Sequence, residues 1–250
     1  MGQLLRIITF GFLLSSMSAS AETISWVDFS SWSAGASSGS GFESSSGIIV
    51  DAAYVNTSGM RSGRPRSGMV IVDDNNWPFY NNDIPVLSSV SASSRTLVTD
   101  LTLTFSNQGG LPPGGSIGIL DLERTGSFVK LTGFRNGASV DVNWTVAYFQ
   151  TEGVNASQPI WDSLTNTLTG TISSNNIPTE SNNFAFLITD TRLDSVLLEI
   201  TARNEGMGVA VSNQSLVEST LYNVPFPLGA LLALSIVIVV VGIKSLKSQI

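Results

Sequence analysis

Several segments of this chain alternate apolar and polar residues with a period of two. The pattern is present in Leu101–Phe105, in Val140–Tyr148, in Phe184–Ile188 and in Val196–Ile200. Successive side chains of a β-strand point to opposite faces, so each segment predicts a strand with one buried face and one wetted face. Such strands are typical of antiparallel sheets, which keep one side in water. The alternation therefore predicts an all-β fold.

The turns between these segments favour the same fold class. Asn136 and Gly137 stand between an apolar run and the strand predicted from Val140, which is a strong signal for a two-residue hairpin. We expect residues 22–223 to form a single antiparallel β-sandwich of roughly eight to ten strands, with a jelly-roll-like topology by analogy. Residues 30–47 are dominated by serine and glycine, and we expect them to form a flexible loop.

The N-terminal segment has the features of a secretory signal peptide. Arg6 precedes an apolar run from Ile7 to Leu14, and the small residues Ala19 and Ala21 occupy positions minus three and minus one of a cleavage site before Glu22. Residues 1–21 are therefore expected to be removed during export.

The C-terminal segment, residues 224–250, contains a second apolar run. Leu228–Ile243 carries no charge, and with the preceding residues a helix of this run reaches the thickness of a bilayer core, about 30 Å. We expect a transmembrane helix over about 226–243. Lys244 and Lys247 follow it, so the C-terminus is expected in the cytoplasm and residues 22–223 outside it.

This tail resembles the PEP-CTERM class of bacterial sorting signals, in the variant that reads Val-Pro-x-Pro. The motif consists of Val224, Pro225, Phe226 and Pro227. The resemblance implies recognition by an exosortase, processing near the two prolines and loss of the membrane span, in Gram-negative bacteria that make exopolysaccharide. A looser resemblance links Ile119–Val140 to lectin-like β-sandwich modules of such surface proteins. The alternative for the tail is an ordinary single-pass anchor.

Composition excludes several functional classes. The chain has no cysteine and no histidine, which removes disulfides, the usual zinc sites and every catalytic arrangement that uses a thiolate or an imidazole. Acidic residues outnumber basic ones by 19 to 12, and three of the basic residues lie in the two end segments. A nucleic-acid partner is therefore not expected. The sequence predicts a protein without enzymatic activity.

A polar and aromatic cluster at Asp73–Asp83 is the main candidate binding site. The rings of Trp77, Phe79 and Tyr80 are flanked by asparagines and could bind the faces of sugars. No cofactor is otherwise expected, but calcium is an alternative ligand, and its weak candidate ligands are the carboxylates of Asp73, Asp74 and Asp83. A third interpretation is an Asn/Asp-rich turn without a ligand.

Two further charged groups carry weaker signals. Asp121 and Glu123 lie two residues apart in an apparent strand, so their carboxylates would share a face, as in a glycosidase acid pair, or simply pair with nearby basic residues. Arg61, Arg64 and Arg66 could contact an acidic polysaccharide or lipid head groups, or could form a solvated turn.

Asp190, Arg192 and Asp194 flank a break in the strand pattern and are interpreted as turn residues.

These observations predict a non-enzymatic, exported cell-envelope protein with a structural or adhesive role in an exopolysaccharide matrix. It would be anchored in the cytoplasmic membrane with its body outside, or located at the cell surface or outside the cell after processing of the tail. The alternative function is a carbohydrate-binding, lectin-like module assisted by calcium.

Overall fold

A computed structural model describes residues 25–70, 84–90, 92, 95–122, 124–151, 159–171, 182–203 and 206–213. All of these residues belong to one compact unit, and they contain strands but no helix. The all-β prediction is confirmed. The described strands are β1 (Ser38–Phe42), β2 (Ile49–Ser58), β3 (Arg66–Val70), β4 (Ile84–Val90), β5 (Thr96–Ser106), β6 (Ser116–Leu120), β7 (Phe128–Arg135), β8 (Ala138–Val140), β9 (Thr145–Thr151), β10 (Ile160–Asp162), β11 (Thr167–Thr169), β12 (Asn182–Ile188), β13 (Ser195–Arg203) and β14 (Gly206–Ser212).

The strands form two antiparallel sheets. The first sheet has the order β1-β2-β5-β13-β7-β11-β10, with β8 paired to β7, and the second has the order β3-β4-β14-β6-β12-β9. From β4 to β7, and again from β12 to β14, consecutive strands belong to alternate sheets. The neighbours of a strand within its sheet are therefore often distant from it along the chain.

The two sheets contribute to the same apolar core. Leu101 and Leu198 of the first sheet and Ile117, Leu187 and Val209 of the second are all fully buried in one cluster. In β5 and β13 every second residue is buried, as the alternation predicts. The hairpin prediction is also confirmed, because Asn136 and Gly137 join β7 to β8 with positive φ angles of 54° and 76°.

The strand predicted over Val140–Tyr148 is interrupted. β8 ends at Val140 in the first sheet, and β9 begins at Thr145 in the second. Val142 and Trp144 lie in the connection and are buried in the shared core. Since both sheets bury their inward faces in this core, the alternation continues while the chain changes sheets. The described residues contain fourteen strands, more than the expected eight to ten. Three of them, β8, β10 and β11, have only three residues, too few to show a period.

The prediction of a flexible loop over residues 30–47 is wrong, because β1 lies within that range and pairs with β2. A Cβ on Gly39 would lie 2.7 Å from the ring of Trp32. A Cβ on Gly41 would lie 2.6 Å from the side chains of Val27 and Phe29. The glycines of β1 thus leave room for three buried side chains from the preceding segment, and this packing keeps the glycine-rich strand in place.

In the second sheet, the middle strands β14 and β6 are buried on both faces. All five residues of β6 are buried, as are Met207–Ser212 in β14. Phe186 and Leu120 are 0% and 1% exposed, yet both lie outside the core shared with the first sheet. Gly118 pairs with Phe186, and a Cβ on this glycine would lie 2.7 Å from the phenylalanine ring. The Trp26 ring packs against the same phenylalanine at a centroid distance of 5.4 Å.

The predicted signal peptide, residues 1–21, and the predicted anchor, residues 224–250, lie outside the described residues. Among the residues that the structure describes, no helix has the length and apolar character needed to cross a membrane.

Candidate binding surfaces

Most of the predicted site residues lie outside the part of the chain that the structure describes, so those sites stay predictions. They comprise Ala19 and Ala21 of the cleavage site, Trp77, Phe79 and Tyr80 of the candidate sugar-binding site, Asp73, Asp74 and Asp83 of the candidate calcium site, and Val224, Pro225, Phe226 and Pro227 of the sorting motif.

The predicted strand face carrying Asp121 and Glu123 is not formed. β6 ends at Leu120, and Asp121 follows it with a φ of 62°, which is the left-handed region of a turn. Glu123 lies outside the described residues. The rule that places alternate residues on one face applies only within a strand, so the argument for a carboxylate pair fails at Asp121.

Hydrogen bonds connect neighbouring loops to three residues before β13, which are Asp190, Arg192 and Asp194. Arg192 donates hydrogen bonds from Nη1 to the carbonyls of Gln108 and Gly109, both at 3.1 Å. Asp194 Oδ2 accepts a hydrogen bond from a backbone N–H in the β7–β8 hairpin, and Asp190 Oδ1 accepts one in the connection before β9. The geometry agrees with their interpretation as turn residues.

Glu43, which sequence reasoning missed, is a buried carboxylate in the turn between β1 and β2. It accepts hydrogen bonds from the backbone N–H groups of Ser45 and Ser46 at 2.8 and 3.0 Å, and from both of their hydroxyls. Burial raises the pKa of Glu43, but hydrogen bonds from these serines and from Ser25 outweigh it and lower the pKa to about 2. A carboxylate held so firmly in its charged form stabilises the turn and is a poor general acid.

The outward face of the first sheet is broad and rich in hydroxyl groups. Thr102 pairs with Leu197, which pairs with Thr132, so these side chains form a row across β5, β13 and β7. The neighbouring row contains Lys130 and Glu199, whose side chains form an ion pair of 2.8 Å while remaining 45% and 42% exposed. This face has the wetted character that the alternation predicts.

Exposed apolar side chains form a third row on the same face. Ile160 pairs with Thr169, which pairs with Phe128. Phe128 in turn pairs with Thr201, and Thr201 pairs with Val98. Ile160, Val98 and Phe128 are 63%, 45% and 36% exposed. Apolar groups interleaved with hydroxyls suit a sugar chain, whose rings expose C–H groups on one side and hydroxyls at the rim.

Arg61 and Arg64 lie in the loop between β2 and β3, and Arg66 is the first residue of β3. Arg64 Nη1 donates a hydrogen bond to Ser88 Oγ at 2.9 Å, and Arg66 pairs with the same Ser88 in the β3–β4 ladder. Burial lowers the pKa of Arg64, and the positive charges of Arg66 and Arg61 lower it further. The guanidiniums of Arg66 and Arg61 are therefore close enough to act on the charge of Arg64.

Metal-binding residues are not clustered in the described part of the chain, where no group of three acidic, histidine or cysteine side chains could hold an ion.

Comparison of the chain with protein-family models, curated proteins and solved structures finds no match.

Proposed function

We propose that this protein is a non-enzymatic, exported protein of the bacterial cell envelope, with a structural or adhesive role in an exopolysaccharide matrix. The outward face of the first sheet carries this proposal. It is exposed, and it carries rows of threonines with interspersed apolar groups beside a few charged residues. Such a face can contact a polysaccharide through many weak hydrogen bonds and apolar contacts without a deep pocket.

The body is proposed to be a β-sandwich with a jelly-roll-like topology. Support comes from the two antiparallel sheets, whose inward residues belong to one apolar cluster. Consecutive strands also pass repeatedly between the sheets, as they do from β4 to β7. Jelly rolls have this kind of connectivity, and they occur widely in lectin domains.

Export and sorting are proposed from the sequence of the two ends. The signal peptide at residues 1–21 and the apolar segment at residues 224–250 support a location outside the cytoplasm. The resemblance of Val224–Pro227 to sorting motifs supports cleavage of the tail by an exosortase. The mass of the tagged chain, compared in cells with and without an exosortase, tests this step. Equal masses that include the tail would leave a membrane anchor.

The adhesive role is tested on the tagged full chain in cells that make exopolysaccharide. We expect the protein to co-purify with the matrix, and we expect Phe128→Ser together with Ile160→Ser to release it, because both changes remove exposed apolar contacts. Thr96→Ser, at an exposed position near the end of β5, is the matched control. Retention of the double variant at the level of the unchanged chain would contradict the proposal.

A further inference from the structure

The loop between β2 and β3, together with the first residue of β3, concentrates positive charge in an acidic protein. Arg61, Arg64 and Arg66 are three of the 12 basic residues of the whole chain, and acidic residues number 19. Arg61 and Arg66 are exposed, and Arg64 is half-buried. The cluster is therefore directed at least partly towards solvent.

The loop is held in one conformation by backbone hydrogen bonds. The N–H of Arg64 donates to the carbonyl of Arg61 at 3.2 Å, which closes a turn, and the N–H of Gly35 donates to the carbonyl of Pro65 at 2.8 Å. Met60, immediately before the cluster, packs against the apolar core. Since the backbone is fixed at both ends of the turn, less conformational entropy would be lost when the arginines bind a ligand.

The β3–β4 register brings two of the guanidiniums, those of Arg64 and Arg66, to one side of the second sheet. Arg66 and Ser88 are directly opposite each other in the ladder, so their side chains share a face. The hydrogen bond from Arg64 to Ser88 directs the second guanidinium to the same place. That bond uses one of the five N–H donors of the guanidinium and leaves the others for a ligand.

The described residues provide no carboxylate for these arginines. Within the described ranges the single ion pair is that between Lys130 and Glu199, in the first sheet. Among the described residues these like charges face one another without a counter-charge, which is unfavourable, and an anion bound between them would relieve the repulsion. Guanidinium groups are also the side chains best suited to bind carboxylates, through two parallel hydrogen bonds.

We propose that Arg61, Arg64 and Arg66 form a binding site for a carboxylate-bearing polysaccharide, such as a chain of uronic acid residues. Ser62 is exposed in the same loop and Ser88 accepts the hydrogen bond from Arg64, so both place hydroxyls near the charged groups. The inference extends the proposed function and rests on it for the nature of the ligand. It gives the matrix polymer a binding site on this protein and a negative charge.

A polysaccharide fits this loop better than a lipid surface. Membrane-binding loops insert exposed apolar side chains beside their basic residues. The large apolar side chains exposed in the described residues are Phe42, Val55, Val98, Phe128, Ile160 and Leu164, and none of them lies in the loop.

The test measures binding of the detergent-solubilised full chain to immobilised polygalacturonate. The fully methyl-esterified polymer has the same backbone without charge and is the matched ligand control. We expect binding to the charged polymer alone, weakening as salt is added. The triple variant Arg61→Gln, Arg64→Gln and Arg66→Gln should lose about tenfold in affinity, because it removes three partly exposed charge contacts.

Two further variants show whether binding depends on this site rather than on the overall charge or on the folding of the protein. Arg135→Gln removes an exposed positive charge in the β7–β8 hairpin and should leave affinity unchanged. Arg64→Lys keeps the charge but loses the planar fork, and an intermediate affinity would support carboxylate recognition by the guanidinium. Unchanged thermal unfolding of each variant would show that any loss concerns the site.

Equal affinity of the triple variant and the unchanged chain would overturn the proposal, as would equal binding to the esterified polymer. Stronger binding to vesicles of anionic phospholipid than to polygalacturonate would also overturn it in favour of a lipid ligand. If no charged polymer binds but the protein still co-purifies with the matrix, this site is wrong and the proposed function stands. If the site binds but the chain is not exported, the proposed function fails and the site stands.

Discussion

The outward faces of the two sheets differ although their inward faces share one core. On the first sheet, residues that point away from the core include Thr132, Leu197 and the half-exposed pair Lys130–Glu199. On the second sheet, the corresponding positions include Leu120 and Phe186, which are fully buried. The first sheet is thus a boundary with solvent, whereas the middle strands of the second sheet are covered on both sides. Contacts with other molecules are more readily made by the first sheet and by the edges of the second.

The sequence patterns of the strands reflect this difference. β13 alternates half-buried and buried residues along its length, as expected for a sheet with one wet face. β6 reads Ser-Ile-Gly-Ile-Leu and is buried at every position. A short strand without polar alternation therefore indicates a sheet that is covered by protein on both faces.

Replacing a phenylalanine on each outward face tests the comparison most strongly. Phe186→Ala should lower the free energy of unfolding by about 3–5 kcal/mol, because a fully buried ring leaves a cavity. Phe128→Ala removes a ring that is 36% exposed on the first sheet and should change stability by about 1 kcal/mol or less. Urea titrations of both variants measure the difference. Equal losses would mean that the two faces are equally buried.

Glu43 should make the edge of the first sheet sensitive to acid. The pKa of this group is lowered from 4.5 to about 2 on folding. Its contribution is therefore fully present above pH 4.5 and is lost as the pH falls through 2. The loss should reach about 3 kcal/mol at most. Unfolding measured between pH 2 and 7 tests this expectation.

Glu43→Gln is the control for that titration. This variant cannot ionise, so it should be less stable at neutral pH and should lose the part of the pH dependence that Glu43 contributes. A variant with the same acid sensitivity as the unchanged chain would show that other carboxylates are responsible.

Two glycines test how tightly the outward face of the second sheet is packed. Gly118→Ala places a methyl group 2.7 Å from the Phe186 ring and should cost about 1–3 kcal/mol of stability. Gly68→Ala, on β3 of the same sheet, places its methyl group 3.6 Å from Val86, an ordinary contact, and should be nearly neutral. Thermal unfolding compares the two. A neutral Gly118→Ala would mean that the ring moves freely.

The ion pair between Lys130 and Glu199 should have the smallest effect. Both side chains are nearly half exposed, so a double-mutant cycle with Lys130→Met and Glu199→Gln should give a coupling of about 0.2–1 kcal/mol. The coupling should decrease at high salt. A larger coupling that persists in salt would indicate that this part of the first sheet is shielded from solvent.

Period-two patterns predicted the fold class because they follow from local geometry. Leu101–Phe105 alternates because one face of β5 meets the core and the other meets water. The interruption after Val140 could not be predicted, since both sheets bury residues in the same core. β1 was missed because its glycines are stabilised by Trp32 and Phe29, whose positions depend on tertiary packing.

The candidate sites likewise depend partly on the local sequence and partly on contacts between distant parts of the chain. The charge of Arg61, Arg64 and Arg66 was evident in the sequence, but the contact with Ser88 depends on the β3–β4 register. Sequence reasoning does not identify Glu43, because its hydrogen-bond donors Ser45 and Ser46 belong to the serine-rich stretch expected to be a flexible loop.

The alternation of strands between the sheets determines when the protein can assemble. β13 lies between β5 and β7, and β14 lies between β4 and β6. These two strands therefore join parts of the chain that were made much earlier; Glu199, for example, pairs with Asp100. A nascent chain that ends before Ser195 lacks a middle strand of both sheets, so stable folding must wait for the last strands to be synthesised. Such long-range pairing is also the kind that folds slowly.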